Sequence, residues 1–205
     1  MEYILIIISA IFVNNILLSQ FLGICPFLGV SNKLSTATGM SMAVCFVITL
    51  ATVVTFLLNS LLVKFGLEFL QTISFILVIA ALVQMVEIVL KKVSPSLYQA
   101  LGVFLPLITT NCCILGVAIL VAQGTYNTQG LEPNLLTGVV YAIATALGFA
   151  LAMVIFAGIR EHLSMMNIPR GMQGMAIALV TAGLLAMAFM GFSGVDAGLA
   201  KALGL

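Results

Sequence analysis

The feature of this sequence that most limits its possible folds is the distance between charged residues. Six stretches contain no charged side chain: residues 3–32, 34–63, 69–86, 93–131, 133–159 and 171–195. About 20 apolar residues in a helix cross the hydrocarbon core of a bilayer. Each stretch is close to that length or longer, so the spacing predicts an all-α membrane protein with six transmembrane helices.

The overall composition supports a membrane location. The 205 residues are 63% hydrophobic and only 6% charged, whereas about a quarter of the residues of a soluble domain are charged. So few charges cannot cover a soluble fold of this size, and lipid must therefore solvate much of the surface. The net charge of +1 leaves no basic face for nucleic acid.

The predicted spans lie at residues 4–25, 38–63, 70–90, 98–122, 135–158 and 172–192, with turn-forming residues between them. Lysine and arginine in short loops mark the cytoplasmic side of a membrane protein. One side of this topology carries Lys33, Lys91, Lys92, Arg160 and Arg170, and the other carries Lys64 and Lys201. The imbalance predicts that both termini lie on the outer side of the membrane.

Two copies of one short motif divide the chain into halves. The pattern Cys-x-x-Leu-Gly-Val begins at Cys25, at the end of the first predicted span, and again at Cys112, in the fourth. Three spans separate the two copies, and because three is an odd number the second half enters the membrane from the opposite face. The sequence therefore predicts two inverted three-helix repeats, residues 1–95 and 96–205.

Residues that disrupt helices lie close to both motifs: Gly23 and Pro26 near the first, and Pro106 and Gly116 near the second. Broken backbone is tolerated inside a membrane where it is buried in protein or lines a cavity. Broken helices allow the two motifs of an inverted repeat to meet near mid-depth. We therefore predict that spans 1 and 4 are broken near the cysteines.

The paired motifs make Cys25 and Cys112 the candidate metal ligands. Thiolate is a soft ligand that suits iron–sulfur clusters, zinc and copper(I). A protein-bound iron–sulfur cluster usually takes four cysteines, so two more ligands are needed. Cys45 and Cys113 are internal candidates, but a related partner protein fits the two-fold symmetry better. Backbone N–H groups of nearby glycines could donate to the sulfurs: Gly23, Gly29 and Gly116.

Simple packing is the competing interpretation of these cysteines, because a free cysteine behaves as a small buried hydrophobe. Packing is favoured for Cys45, which has no counterpart in the other repeat. It is also favoured for Cys113, which points about 100° away from Cys112 on a helix. For Cys25 and Cys112 both interpretations remain open at this point.

Polar residues also occur inside spans 1 and 4: Asn14, Asn15, Thr109, Thr110 and Asn111. Such residues can bond neighbouring helices, cap the broken helix ends or support the cysteines.

Two other functions are compatible with the inverted repeat. A secondary transporter with broken helices would place ionisable residues deep in its spans, and none lies well inside any span here. A redox-active disulfide between Cys25 and Cys112 is the second alternative. No zinc motif, phosphate loop, nucleotide fingerprint or catalytic triad is visible, so we expect no catalytic site in this chain alone.

Specific stretches of the chain resemble the RnfA/NqrE-like family, and within it the A-type component of the Rnf complex. They are Asn14-Asn15, Phe21-Leu22-Gly23 with Cys25-Pro26-Phe27, Leu105-Pro106-Leu107-Ile108-Thr109-Thr110-Asn111-Cys112, and Ile177-Ala178-Leu179 with Phe192-Ser193-Gly194. The resemblance covers nearly the whole chain. The E-type component of the sodium-pumping quinone reductase is similar, but its family departs from the Cys25-Pro26 and Thr109-Thr110 patterns, so the Rnf family is favoured.

The resemblance implies a component of a membrane-bound translocase that passes electrons between ferredoxin and NAD and couples this transfer to sodium or proton transport. It implies that a homologous, oppositely oriented E-type component (RnfE) shares an intramembrane [2Fe–2S] cluster with this chain, which gives Cys25 and Cys112. It also implies the B, C, D and G components of the Rnf complex as partners, and a place in the cell (inner) membrane.

Overall fold

The computed structural model describes residues 2–93, 105–124, 134–166 and 173–195, together with the isolated positions 169, 171, 198 and 201. Within these ranges all regular secondary structure is helical. The start of the fourth predicted span, the loop before the fifth and the predicted boundary between the repeats at residues 95 and 96 lie outside the described residues.

Eight α-helices follow one another in the described ranges: α1 (Glu2–Ile8), α2 (Ile24–Val30), α3 (Leu34–Phe65), α4 (Gln71–Val93), α5 (Leu105–Thr109), α6 (Cys112–Gln123), α7 (Leu135–Ser164) and α8 (Met175–Met190). A π-helical segment, Ser9–Val13, continues α1, and a 3₁₀ turn, Glu68–Leu70, precedes α4.

Four described segments are long and apolar enough to cross a membrane: Leu34–Phe65, Gln71–Val89, Pro106–Gln123 and Leu135–Ser164. Two shorter apolar helices, Tyr3–Val13 and Met175–Met190, lie where the first and sixth spans were predicted. The prediction of an all-α membrane protein with several apolar helices is confirmed. Helix α7 continues to Ser164, beyond the predicted end at residue 158, so Arg160 lies on the helix rather than in a loop.

The two longest helices, α3 and α7, form the centre of the molecule and share its most extensive helix contact. Helix α6 packs on α3, and the Ser9–Val13 segment packs on α7. Small buried residues recur along α7: Gly138, Ala142, Ala144, Ala146, Gly148, Ala152 and Ala157. Because lipid provides no hydrophobic drive between helices, small residues favour association by letting backbones approach closely.

Gly148 marks the closest approach of the N-terminal segment to α7. A Cβ atom at this position would lie 3.1 Å from the carbonyl oxygen of Ala10 and 3.1 Å from Cα of Ile11. Both neighbours are backbone atoms, which cannot move aside as a flexible side chain can. The position of the N-terminal segment therefore depends on the absence of a side chain at Gly148.

The outward faces of α4 and α8 carry large exposed apolar side chains: Ile73, Ile76, Leu77, Met85 and Ile88 on α4, and Leu179, Leu184, Met187 and Met190 on α8. Apolar surface on this scale is typical of helices that face lipid or other proteins.

Candidate functional site

The backbone leaves helical geometry between Asn14 and Gly23, and Asn15 organises this stretch. Asn15 is fully buried. Its Nδ2 atom donates to the carbonyl oxygens of Ile11 and Gly148, both at 2.9 Å. Its Oδ1 atom accepts from the N–H groups of the second and third residues after it, at 3.1 and 3.3 Å. The predicted bond to a neighbouring helix is thus confirmed for Asn15, and its Oδ1 atom stabilises a turn rather than the start of a helix.

The end of this stretch turns sharply toward the second motif. Phe21 has a φ angle of 56° and Gly23 one of 87°, so both adopt left-handed backbone geometry. A Cβ atom on Gly23 would lie 3.0 Å from Cε2 of Phe149, 3.2 Å from Oδ1 of Asn111 and 3.2 Å from Cβ of Cys113. Glycine is needed here both for its backbone angle and for its size.

Asn111 separates α5 from α6 and caps the start of α6. Its Oδ1 atom accepts a hydrogen bond of 3.0 Å from the backbone N–H of Cys113, which confirms the predicted cap. Its Nδ2 atom is buried and has no hydrogen-bond partner among the described residues. A buried donor without a partner costs about 1–3 kcal/mol, so Asn111 presents unused hydrogen-bonding capacity one residue before Cys112.

One hydrogen bond joins the two cysteine motifs. The backbone N–H of Gly23 donates to Sγ of Cys112 at 3.1 Å, across 89 residues of sequence. Cys25 follows Gly23 by two residues, and successive Cα atoms are about 3.8 Å apart, so the Cα atoms of Gly23 and Cys25 are within about 8 Å. The backbone carrying Cys25 therefore lies beside Cys112.

The four cysteines differ in their access to the surroundings. Cys25 and Cys112 are exposed. Cys113 is fully buried, and the thiol of half-buried Cys45 donates to the carbonyl oxygen of Ala146 at 3.3 Å. This arrangement favours packing for Cys45 and Cys113 and leaves the exposed pair available to a ligand from outside the chain.

Two separate parts of the backbone meet at Cys112. Cys112 is the first residue of the twelve-residue helix α6, so the start of that helix sets its position. The Gly23 N–H donates a hydrogen bond to the Cys112 sulfur.

Gly116 was predicted to disrupt a helix, and Gly29 and Gly116 to donate to a cysteine sulfur; the structure differs on both points. Gly116 lies inside α6 and does not break it. A Cβ atom at Gly116 would lie 2.6 Å from Cδ1 of Leu22, so the glycine makes room for that side chain. Gly29 lies inside α2. Because helical N–H groups bond to backbone carbonyls, among these three glycines only Gly23 donates to a cysteine sulfur within the described residues.

Arg160 holds the helix that carries Cys25, a role that sequence reasoning missed. Its Nη1 atom donates to the carbonyl oxygen of Leu28 at 2.7 Å and to Oγ of Ser31 at 2.9 Å. One turn earlier on α7, Phe156 stacks on Phe27 with ring centroids 4.0 Å apart. These contacts thus hold the end of α2 against α7. The only signal in the sequence was a cation near the end of a span, which served to orient the topology.

Comparison of the sequence with known proteins identifies its relatives. The profile of a family described as "Rnf-Nqr subunit, membrane protein" matches residues 3–196. A protein of Acetobacterium woodii, named as the A component of a Na(+)-translocating ferredoxin:NAD(+) oxidoreductase complex, is 55% identical over 199 residues, which cover 97% of this chain and all of that protein. A protein of Alcanivorax borkumensis, named as the A component of an ion-translocating oxidoreductase complex, is 51% identical over 195 residues, covering 95% of this chain and 97% of the relative.

Proposed function

The chain belongs to the Rnf-Nqr family of membrane subunits, and we propose that it acts as the A-type component of an Rnf-type ion-translocating ferredoxin:NAD oxidoreductase. Its relatives in Acetobacterium woodii and Alcanivorax borkumensis carry names of this kind over nearly their full length. The chain is accordingly one subunit of a multi-subunit oxidoreductase in a membrane, and it works together with other subunits of that complex.

We further propose that the chain has six spans arranged as two inverted three-helix repeats. The interruption between Asn14 and Gly23 would then belong to span 1, and the interruption at Thr110 and Asn111 to span 4. The first interruption ends two residues before Cys25, and the second ends directly before Cys112. The hydrogen bond between Gly23 and Cys112 supports an arrangement in which the two motifs meet.

The central proposal is that Cys25 and Cys112 hold half of a [2Fe–2S] cluster whose other two ligands come from the homologous E-type component. The observation that carries it is the Gly23–Cys112 hydrogen bond, which joins the two motifs while both cysteines remain exposed. Within the described residues no group of three or more His, Cys, Asp and Glu side chains comes together. Two soft thiols on an open surface therefore suit a cluster completed from outside the chain.

The residues around the pair fit such a group. A bound [2Fe–2S] cluster would supply a one-electron carrier inside the bilayer. Gly23 has no Cβ atom, which would crowd Phe149, Asn111 and Cys113, and its N–H donates a hydrogen bond to the Cys112 sulfur, a contact that supports a metal-binding thiolate. Asn111 sets the start of α6 at Cys112 and retains a buried, unused amide donor nearby.

Substitution of the two cysteines tests the proposal directly. In the purified complex, Cys25→Ser or Cys112→Ser should abolish the EPR signal of the reduced intramembrane cluster and remove its iron. Cys113→Ala is the matched control, because it removes the neighbouring thiol, which faces the core, and should leave the signal in place. If the signal survives in both serine variants, or disappears in Cys113→Ala while the complex stays assembled, the ligand assignment is wrong.

A further inference from the structure

The guanidinium of Arg160 lies where the apolar part of α7 ends. Residues 133–159 contain no charge, so we expect Arg160 to lie at the level of the lipid headgroups. Its described hydrogen bonds both use Nη1, and both end on neutral oxygens, of Leu28 and Ser31. The adjacent carboxylate, Glu161, accepts from the backbone N–H of Leu34 at 3.3 Å. Within the described residues, the hydrogen bonds of Arg160 thus reach no carboxylate.

Arg160 lines a cavity of about 380 Å³ between the end of α7 and the start of α8. The cavity wall also includes the polar residues Asn32, Ser164 and Gln173 and the apolar residues Leu163, Met166 and Ile177. A guanidinium has five N–H donors arranged to bind phosphate, and Nη1 supplies only two of them. The Ser164 hydroxyl already donates to the carbonyl oxygen of Glu161, so the cavity offers an anion chiefly the positive charge and the remaining N–H donors of Arg160.

A second, apolar cavity of about 200 Å³ lies further along α8. Its α8 wall runs from Leu179 to Ala186 and includes Gly183, and its opposite wall comes from residues 17–28. From Ile177 in the polar cavity to Ala186 in the apolar one is about 14 Å along a helix. Leu28 belongs to both regions, because its carbonyl oxygen holds Arg160 and the residue also lines the apolar cavity.

We propose that these two cavities form a binding site for one anionic phospholipid, with its phosphate at Arg160 and an acyl chain against α8. The positive charge selects the anionic headgroup, and the apolar cavity next to it selects the chain. Free phosphate shares the headgroup chemistry but has nothing to place in the apolar cavity. This site uses neither Cys25 nor Cys112, and it adds a lipid to the contacts that hold the Cys25 helix.

Lipid retention by the purified complex tests this site. The complex is delipidated in detergent, reloaded from vesicles of equal phosphatidylglycerol and phosphatidylcholine, and repurified, and its bound lipid is quantified by mass spectrometry. The intact protein should retain phosphatidylglycerol preferentially. Arg160→Gln should reduce that retention about tenfold, the effect of losing one charge-assisted hydrogen bond. Lys33→Gln is the matched control, since Lys33 lines a different cavity, and it should retain the lipid.

A second variant addresses the acyl chain without touching Arg160. No described atom lies within 4 Å of a Cβ atom built on Gly183, so Gly183→Leu should fill the apolar cavity and reduce lipid retention while the complex stays assembled. The proposal is overturned if neither variant changes retention, or if both lipids are retained equally by the intact protein. It is also overturned if inorganic phosphate displaces the lipid, or if Gly183→Leu expels a partner protein and leaves the lipid in place.

Discussion

At the scale of single residues, Gly23 meets two requirements that no other residue type meets together. Its φ angle of 87° is left-handed, which costs a residue with a Cβ atom about 1–2 kcal/mol. Its surroundings would also crowd that atom, because three side-chain atoms would lie 3.0 to 3.2 Å away. The same residue directs its N–H to the Cys112 sulfur, so the geometry of the cysteine pair depends on it.

We expect Gly23→Ala to damage the cysteine site more than a left-handed angle alone explains. Gly66→Ala is the matched control, since Gly66 has a φ angle of 68° and no described atom within 4 Å of its built Cβ atom. Crowding should add about 1–3 kcal/mol of destabilisation to Gly23→Ala and lower the iron content of the complex. Thermal unfolding in detergent and iron analysis measure both effects; equal behaviour of the two variants would contradict the crowding argument.

At the scale of helices, α7 is the element on which the site is assembled. Gly148 lets the N-terminal segment reach its backbone, Phe149 borders Gly23, and Phe156 and Arg160 hold α2. These residues lie within about three and a half turns of one helix, so α7 sets the positions of both the stretch before Cys25 and the helix that contains it.

The backbone contact at Gly148 predicts a clear difference between two glycines of α7. Gly148→Ala should destabilise the protein by about 1–3 kcal/mol, because the new methyl group meets backbone atoms of Ala10 and Ile11. Gly158→Ala, with no described atom within 4 Å, should be neutral or slightly stabilising, since alanine is the better helix former. The midpoints of thermal unfolding in detergent compare the two. A Gly148→Ala protein as stable as Gly158→Ala would show that the N-terminal segment can move away from α7.

At the scale of the whole molecule, the site is open on one side. Cys25 and Cys112 are exposed, whereas Cys113 is enclosed by the core. Two thiols are too few for a cluster that usually takes four cysteines. The chain by itself thus presents two exposed thiols on a surface that another protein of the complex can cover.

We therefore expect iron binding to require the partner. The chain purified alone should contain no stoichiometric iron or sulfide, and the chain purified with its homologous partner should contain a [2Fe–2S] cluster. Iron and sulfide analysis with EPR of the reduced samples distinguishes these states. A cluster in the isolated chain would mean that this chain supplies all of the cluster ligands. Cys45 would then be the remaining candidate ligand outside the two motifs.

The sequence by itself determined the class of fold and the approximate positions of its helices. Burial in lipid acts on every residue of a span, so the absence of charge over each stretch was enough to predict α3, α4 and α7. A repeated motif also predicted Cys25 and Cys112 as a pair. Tertiary structure alone decided how long each non-helical stretch is, that Gly116 stays helical, and that Arg160 holds the end of α2. These features arise from contacts between residues far apart in the chain, such as the 3.1 Å hydrogen bond from Gly23 to Cys112, and no local pattern encodes which distant group a backbone N–H or a guanidinium will meet.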